Sequence, residues 1–266
     1  MTWERWKDSF TDYSISSFMD QLRATSPHLL PRLEAPAGAA ADLPHGTTVL
    51  ALRYRDGVMM AGDRQATEGT QVAHRRIEKI YKADDLSAVG IAGVAGPSIE
   101  MARLFQTELE HYEKVEGEGL SLEGKANRMA QMIRMNLPAA LQGLIVIPIF
   151  AGFDEKLGVG RIYKYDITGG RYEEADYYAQ GSGGKDARDT LKKRYRKDMS
   201  REEALRAALE AMIDASEEDI GTGGPDMVRG IYPSVKVITR SGFGEVLDDE
   251  VRQVCEAVLA ERKRQP

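Results

Sequence analysis

The sequence contains one cysteine, four histidines and no long apolar run, and each of these shortages excludes a class of protein. Cys255 has no partner within the chain, so an intrachain disulfide, a thiol redox pair and a multi-cysteine zinc site are all excluded. No two histidines have the i, i+4 spacing that places two metal ligands on one helix face. The longest apolar run, residues 144–152, contains Pro148 and is far shorter than the roughly 20 residues of a membrane-spanning helix.

The charge balance is acidic, with 42 Asp and Glu residues against 36 Lys and Arg residues and a sequence pI near 5.4. Such a chain has no overall positive field to attract nucleic acid or an anionic membrane. Its N-terminus lacks the basic start and the continuous apolar stretch of a secretory signal. We therefore expect a soluble, cytoplasmic protein whose partners include neither nucleic acid nor membrane.

The first 46 residues differ in composition from the rest of the chain. Four of the ten prolines fall within residues 26–46, beside an alanine-rich stretch, and this composition is typical of a linker. Ahead of it, several apolar side chains could line one side of short helices that have no obvious core of their own: Trp3, Trp6, Phe10, Phe18 and Leu22. Two interpretations remain open, a partly disordered tail and a segment that docks onto a neighbouring subunit.

From Thr47 onward, alternating and β-branched residues predict antiparallel strands. The predicted strands cover residues 47–54, 58–63, 86–94, 144–153, 160–165 and 177–180, and two more precede the last helix. Apolar spacing predicts helices that open at Gly96-Pro97, cover about 121–143, follow a capping box of Ser200 and Glu203, and cover 248 to about 261. Helices grouped between blocks of sequential strands favour helix layers packed on antiparallel sheets over a parallel βαβ fold. On the last helix, Cys255 lies on the apolar face and is predicted to be a core residue.

Two common catalytic or binding motifs are absent. The glycine-rich stretch at residues 181–185 superficially suggests a phosphate-binding loop. However, Ala179 stands where the first glycine of that loop should be, and Asp186 stands where Ser or Thr is needed. A Gly-x-Ser-x-Gly nucleophile elbow does not occur. These observations argue against a nucleotide-binding P-loop and against the commonest type of serine hydrolase.

Several short motifs occur in one order along the chain. Gly46-Thr47-Thr48 opens the first strand, Asp63 of Gly62-Asp63-Arg64 follows sixteen residues after Thr47, and Lys79 follows after sixteen more. The remaining motifs are listed in chain order: Gly90-Ile91-Ala92-Gly93, Gly181-Ser182-Gly183 and Asp219-x-x-Thr222-Gly223-Gly224. Together they resemble the proteasome β subunits of the N-terminal nucleophile hydrolase family, over nearly everything from Thr47 to the last helix. The stretch 221–230 is most similar to the actinobacterial branch.

The resemblance implies an α+β fold, a four-layer α/β/β/α sandwich of two antiparallel sheets flanked by helices. It also implies a threonine endopeptidase that needs no cofactor. Thr47 would be the nucleophile, its own freed α-amine the base, Lys79 the cation that lowers the proton affinity of the hydroxyl, and Asp63 the partner of Lys79. Three polar residues match those that orient the amine: Ser182, Asp219 and Thr222. Many relatives have serine where Thr222 stands.

The resemblance also implies a peptide-binding groove. The backbone N–H of Gly93 would face the oxyanion, and the peptide would lie as an added strand along Thr67 and residues 93–95. The first specificity pocket would be formed by small or apolar residues: Ala66, Ile77, Ile91, Ala95 and Ile99. We therefore expect cleavage after hydrophobic residues.

In this family the chain is made as a precursor, so residues 1–46 are expected to be a propeptide and 47–266 the catalytic domain. Gly46 suits self-cleavage of the Gly46–Thr47 bond because it leaves the carbonyl accessible. The implied partners are proteasome α subunits, identical β subunits in heptameric rings (α7β7β7α7), an ATP-dependent ring unfoldase and polypeptide substrates. The alternatives are a bacterial two-ring relative, an inactive structural β subunit and an N-terminal nucleophile amidase.

Overall fold

The computed structural model describes residues 46–68 and 71–264. The predicted linker and the predicted short helices before Gly46 lie outside the described residues, as do His28 and His45. The described part contains twelve strands and five helices. The strands are β1 (Thr48–Tyr54), β2 (Gly57–Gly62), β3 (Ala66–Glu68), β4 (Gln71–His74), β5 (Ile80–Asp84), β6 (Ser87–Gly93), β7 (Val146–Asp154), β8 (Val159–Tyr165), β9 (Arg171–Glu174), β10 (Tyr177–Gly181), β11 (Ser234–Thr239) and β12 (Gly242–Glu245). The helices are α1 (Ala95–Glu116), α2 (Leu122–Ala140), α3 (Gly184–Arg194), α4 (Arg201–Glu218) and α5 (Asp248–Arg262).

Ten of these strands form two five-stranded antiparallel sheets. Sheet I has the order β10-β1-β2-β11-β12, and sheet II has the order β5-β6-β7-β8-β9. Strands β3 and β4 pair separately with each other. Every pairing is antiparallel, which agrees with the sequence expectation.

Strand β1 shows why the sheets are stacked between helices. Its side chains alternate, so that Leu50 and Leu52 pack with helices α3, α4 and α5, whereas Val49 and Ala51 pack against sheet II. A strand that is buried on both faces needs a layer on each side. Sheet II has its own helical layer, because Val89 and Phe150 pack against α1 and α2. The result is the predicted four-layer α/β/β/α arrangement.

The helix predictions were correct where the apolar pattern was strong. Helix α4 begins with the predicted capping box, since Ser200 accepts from the Glu203 backbone N–H and Glu203 accepts from the Ser200 N–H. In α5, Cys255 is fully buried, and burial raises the pKa of its thiol to about 12. In α1, apolar spacing alone would continue the buried face from Leu109 to Tyr112, but Tyr112 is exposed.

Four strands and one helix lack a sequence prediction. They are the short or partly exposed strands β3, β4, β5 and β9, and helix α3. Helix α3 is dominated by charged residues, and its buried face consists only of Gly184, Ala187, Thr190 and Leu191. Strand β9 has no fully buried residue, so it shows no apolar alternation. Within the described residues, no helix is long and apolar enough to cross a membrane, and no cluster of acidic, histidine or cysteine side chains is placed to hold a metal ion.

Candidate active site

Thr47 lies directly before β1, at the end of sheet I where β1 is paired on both sides. Its side chain is buried, and its Oγ1 donates a hydrogen bond to the Gly46 carbonyl oxygen at 2.7 Å. Its own carbonyl oxygen accepts from the Ser182 N–H at 3.0 Å, next to the end of β10. The position of Thr47 is therefore fixed by the pairing of β1 with β10.

Asp63 and Lys79 form an ion pair at the same end of the sheets. The antiparallel register pairs Val49 with Gly62, so the residue after β2 lies beside the start of β1. Lys79 directly precedes β5 of sheet II, and its Nζ atom lies 2.6 Å from Asp63 Oδ1. The lysine side chain is 5% exposed and the aspartate side chain 0%. The pair therefore joins the two sheets in a place that excludes water.

Lys79 has an acceptor for each of its three ammonium hydrogens. The acceptors are Asp63 Oδ1 at 2.6 Å, the Gln65 carbonyl oxygen at 2.6 Å and the Gly46 carbonyl oxygen at 3.2 Å. A neutral amine has only two N–H groups, so the protonated form satisfies this site best. The ammonium and the Thr47 hydroxyl thus approach the same carbonyl oxygen.

Asp63 accepts four hydrogen bonds. Oδ1 accepts from the Thr48 N–H at 2.8 Å as well as from Lys79, and Oδ2 accepts from the N–H groups of Gln65 at 2.9 Å and Gly223 at 3.1 Å. Four donors suit an ionised carboxylate, whose two oxygens offer about four acceptor sites. The side chain therefore has little freedom to move away from Lys79.

The pKa of Lys79 is lowered from its ordinary value of 10.5. The main cause is burial, which disfavours the charged form, and the neighbouring Asp63 carboxylate counteracts part of this effect. The lysine therefore loses its proton at a lower pH than an exposed lysine does.

A second polar cluster brings together Ser182, Asp219 and Thr222 from the far end of the sequence. Asp219 Oδ2 accepts from Ser182 Oγ and from Thr222 Oγ1, each at 2.5 Å. Thr222 Oγ1 lies 2.6 Å from Thr48 Oγ1, which accepts from the Gly183 N–H at 3.0 Å. Ser182 Oγ reaches the Thr47 carbonyl oxygen at 3.4 Å. The three residues predicted to orient the amine therefore form one connected group beside the Thr47 backbone.

Gly181 lies beside Thr47 across the strands, because β10 pairs Gly181 with Thr48. It has φ +106°, and a Cβ atom placed on it would lie 1.8 Å from the Thr47 carbonyl oxygen. A side chain there is disfavoured twice, by the backbone conformation and by the contact. This position thus requires glycine for Thr47 to keep its place.

We expect Gly181→Ala to lower the free energy of unfolding by about 2–5 kcal/mol, through backbone strain and overpacking together. Urea unfolding of the chain measures this difference. Gly158→Ala is the matched control, because Gly158 also has a positive φ, +67°, but has open space around it. The control introduces backbone strain but no overpacking, so its free energy of unfolding should fall by only about 1–2 kcal/mol. Equal losses in the two variants would show that the Thr47 contact is unimportant.

A cavity of about 350 Å³, including the space that opens to solvent, adjoins Thr47. Gly46, Thr47, Lys79 and Gly93 are among the residues that line it. All five residues predicted for the specificity pocket line it as well: Ala66, Ile77, Ile91, Ala95 and Ile99. Three further lining residues have no sequence prediction: Glu78, Tyr81 and Ser98. The structure therefore gathers the predicted pocket residues around one space beside the threonine.

Gly93 and Thr67 both lie close to the two residues of the Gly46–Thr47 bond. Gly93 ends β6 with φ +136°, and a Cβ there would lie 2.1 Å from the Ile145 carbonyl oxygen. Its role as an oxyanion donor stays a prediction. Thr67 Oγ1 accepts from the Gly46 N–H at 3.2 Å. It thus holds the residue that precedes Thr47.

Glu78 fixes the start of β5, next to Lys79. Its Oε1 accepts from the N–H groups of Lys79 at 3.0 Å and Ile80 at 3.1 Å, and from Ser234 Oγ at 2.9 Å. Lys236 of sheet I lies 3.2 Å from its Oε2. Sequence reasoning assigned no role to Glu78, Thr48, Gln65 or Gly223, because most of their contacts at this site involve backbone atoms, which carry no residue-type pattern.

Comparisons with known proteins place the chain in a family. The sequence model of the family described as "Proteasome subunit" matches residues 43–229. A proteasome subunit beta of Acidothermus cellulolyticus is 52% identical over 263 residues, which covers 97% of this chain and 91% of the relative. One of Acidimicrobium ferrooxidans is 56% identical over 214 residues, 80% of this chain and 78% of the relative. One of Streptomyces griseus is 51% identical over 253 residues, 94% of this chain and 90% of the relative. The chain therefore belongs to the proteasome subunit family, as a β-type member with a peptidase role in proteasome complexes.

Proposed function

We propose that the chain is a threonine endopeptidase of the 20S proteasome core, in which Thr47 becomes the N-terminus and the nucleophile after residues 1–46 are removed. The observation that carries this proposal is the convergence of two groups on the Gly46 carbonyl oxygen. The Thr47 hydroxyl lies 2.7 Å from it, and the Lys79 ammonium lies 3.2 Å from it. The bond that self-cleavage breaks therefore lies beside both a nucleophile and a cation.

Self-cleavage is an acyl shift from nitrogen to oxygen. Thr47 Oγ1 attacks the Gly46 carbonyl carbon, the O–C bond forms, the C–N bond breaks, and the hydroxyl proton ends on the departing Thr47 nitrogen. Lys79 stabilises the negative charge that develops on the Gly46 oxygen. Water then hydrolyses the ester, which releases Gly46 as a carboxylate and leaves Thr47 with a free hydroxyl and a new α-amine.

The new α-amine serves as the base for later substrates. Its unperturbed pKa of about 7.7–8.0 is close to neutrality, so a useful fraction is unprotonated near pH 7. It takes the hydroxyl proton while Thr47 Oγ1 attacks the substrate carbonyl, and then gives the proton to the leaving amine. Ser182, Asp219 and Thr222 orient it, while Lys79, held by Asp63, lowers the proton affinity of the hydroxyl.

Substrate binding is proposed to use the cavity beside Thr47. A peptide lies as an extra strand along Thr67 and residues 93–95, with the side chain that precedes the scissile bond in the cavity. The Gly93 N–H stabilises the oxyanion, an interaction worth about 2.7–4 kcal/mol in known enzymes. Because the predicted pocket residues are small or aliphatic, cleavage after hydrophobic residues is favoured.

The proposed assembly is a cytoplasmic α7β7β7α7 barrel of α subunits and identical β subunits. An ATP-dependent ring unfoldase delivers unfolded polypeptides to it. A chamber of this kind keeps a broadly specific peptidase away from folded proteins. Electron microscopy of the assembled particle distinguishes four stacked rings from the two rings of the alternative bacterial relative.

The direct test is to produce the chain together with its α partner and to determine the N-terminus of the assembled β subunit. We expect the new N-terminus to be Thr47 and the particle to hydrolyse peptides. An inactive structural β subunit would assemble but would keep Gly46 and show no hydrolysis. An amidase would process itself but would cut small amides and leave polypeptides intact. Either of these results would overturn the proposal.

The pH dependence of kcat/KM should be bell-shaped. The rate rises as pH increases through the pKa of the α-amine, because the base must lose its proton, with an unperturbed midpoint of about 7.7–8.0. The rate falls again as Lys79 loses its proton, and this limb lies below pH 10.5 because burial lowers the pKa of Lys79. Initial rates between pH 5 and pH 11 measure both limbs, with a return to pH 8 as the control for irreversible loss. A rate that still increases above pH 10.5 would contradict the need for a charged Lys79.

A further inference from the structure

Ser98 is a buried polar residue in the wall of the cavity beside Thr47. It lies in the first turn of α1, and it is 5% exposed. Its backbone N–H donates to the Val94 carbonyl oxygen at 3.0 Å, but its hydroxyl oxygen has no hydrogen-bond partner among the described residues. A buried hydroxyl without a partner is costly and therefore needs an explanation.

The other polar side chains that line the cavity already have partners. The Tyr81 hydroxyl donates to the Glu78 carbonyl oxygen at 2.5 Å, and the Glu78 carboxylate is held by backbone N–H groups, Ser234 and Lys236. The Thr47 hydroxyl and the Lys79 ammonium are directed at the Gly46 carbonyl oxygen. Among the described lining residues, Ser98 thus has the one hydroxyl without a hydrogen-bond partner.

The remaining walls of the cavity are apolar. They come from Ala66, Ile77, Ile91, Ala95 and Ile99. Before cleavage, the residue that precedes Thr47 is Gly46, which has no side chain to place in this space. A side chain that suits an apolar cavity with one free hydroxyl has a large apolar body and one polar group. Tyrosine and tryptophan both have a rigid ring of this kind. Tyrosine matches better, because its hydroxyl at the far end of the ring can both donate to and accept from a serine hydroxyl, whereas the indole N–H can only donate.

We propose that Ser98 is a specificity-determining residue that hydrogen-bonds the phenolic hydroxyl of a tyrosine directly before the scissile bond. This inference rests on the proposed function and narrows its substrate class from hydrophobic residues in general to tyrosine over phenylalanine. Tyrosine gives the Ser98 hydroxyl a partner, whereas phenylalanine covers it and leaves it unpaired. A site that hydrogen-bonds a substrate hydroxyl discriminates against the analogue without that hydroxyl, because a polar group of the site is then left without a partner.

The test compares two fluorogenic peptides that differ only in tyrosine or phenylalanine before the cleaved bond. We expect the assembled, processed particle to cleave the tyrosine peptide with a kcat/KM about three- to tenfold higher, as one neutral hydrogen bond allows. In Ser98→Ala the ratio should fall to about one, with the phenylalanine peptide cut at least as fast as before. Alanine suits a helix at least as well as serine does, so the substitution should leave α1 intact.

Thr107→Ala is the matched control, because it removes an exposed hydroxyl from the same helix, one that bonds the Arg103 carbonyl oxygen. It should keep the wild-type ratio. An equal ratio for wild type and Ser98→Ala would overturn the inference. So would a structure of the particle with a bound peptide aldehyde ending in tyrosine, if the phenolic oxygen lay beyond hydrogen-bond distance of Ser98 Oγ.

The two proposals fail in different ways. If Thr47 were not the nucleophile, both peptides would still be cut by Thr47→Ala, whatever their ratio. If only the Ser98 inference were wrong, hydrolysis would depend on Thr47, but the preference between the two peptides would not change in Ser98→Ala.

Discussion

Thr47→Ala should leave the chain at its full 266 residues and abolish peptide hydrolysis. Alanine has no hydroxyl to attack the Gly46 carbonyl, so the propeptide stays attached and the α-amine that serves as base is never released. Removing a catalytic nucleophile costs on the order of 10⁶-fold in kcat in a well-studied protease, and here the base is lost as well. Mass spectrometry of the assembled particle measures the processing, and fluorogenic peptides measure the rate.

Thr47→Ser is the matched control, because serine keeps both a hydroxyl and, after cleavage, an α-amine. It should be processed and should retain measurable hydrolysis. Thr168→Ala controls for threonine loss in general, since Thr168 lies in the turn between β8 and β9 and bonds only Asp166. Normal processing of Thr47→Ala would contradict the proposed role of the residue.

Lys79→Met should both destabilise the chain and abolish hydrolysis. It removes the cation from a pair whose aspartate is 0% exposed, and a buried charge without its partner costs about 3–5 kcal/mol. The remaining Asp63 carboxylate still accepts three backbone N–H groups but has no counter-charge. Urea unfolding measures the first effect, and the rate of hydrolysis of fluorogenic peptides measures the second.

Two further variants test whether the loss of stability in Lys79→Met comes from the unpaired, buried charge of Asp63. Lys79→Met with Asp63→Asn removes the buried charge and should recover part of the lost stability, though not all of it, because an amide cannot accept all the N–H groups that Asp63 accepts. Hydrolysis should stay absent. Lys82→Met removes a lysine that pairs with Asp85 at 2.5 Å but is 45% exposed, and exposed pairs contribute at most about 1 kcal/mol. A similar loss in Lys79→Met and Lys82→Met would contradict the claim that the catalytic pair is shielded from water.

The sequence predicted those parts of the fold that carry a clear apolar period. The alternation in β1 and the capping box of α4 identified their elements, and the order of strands and helices identified the layers. Helix α3 was missed because most of its residues are charged and its few buried residues form no extended apolar face. Strand β9 was missed because neither of its faces is fully buried. Elements that pack weakly leave little trace in the pattern of apolar residues.

The candidate site, like the fold, could be predicted from the sequence only in part. The resemblance to proteasome β subunits pointed to Thr47, Asp63 and Lys79 as candidate site residues, because their residue types and order match motifs of that family. Spacing could not identify Gln65, which contributes its carbonyl oxygen to Lys79, or Ser98, whose importance comes from the absence of a partner. Both features depend on the distances between atoms, and only the folded chain supplies them.

The most direct test of the account is to identify the atom that reacts with a substrate-like electrophile. The assembled particle is treated with a peptide vinyl sulfone that ends in tyrosine, and the modified residue is located by tandem mass spectrometry. We expect one adduct, on the hydroxyl of an N-terminal Thr47, and none on chains that still carry Gly46. An adduct on Thr48 or Ser182, or equal labelling of unprocessed chains, would contradict it.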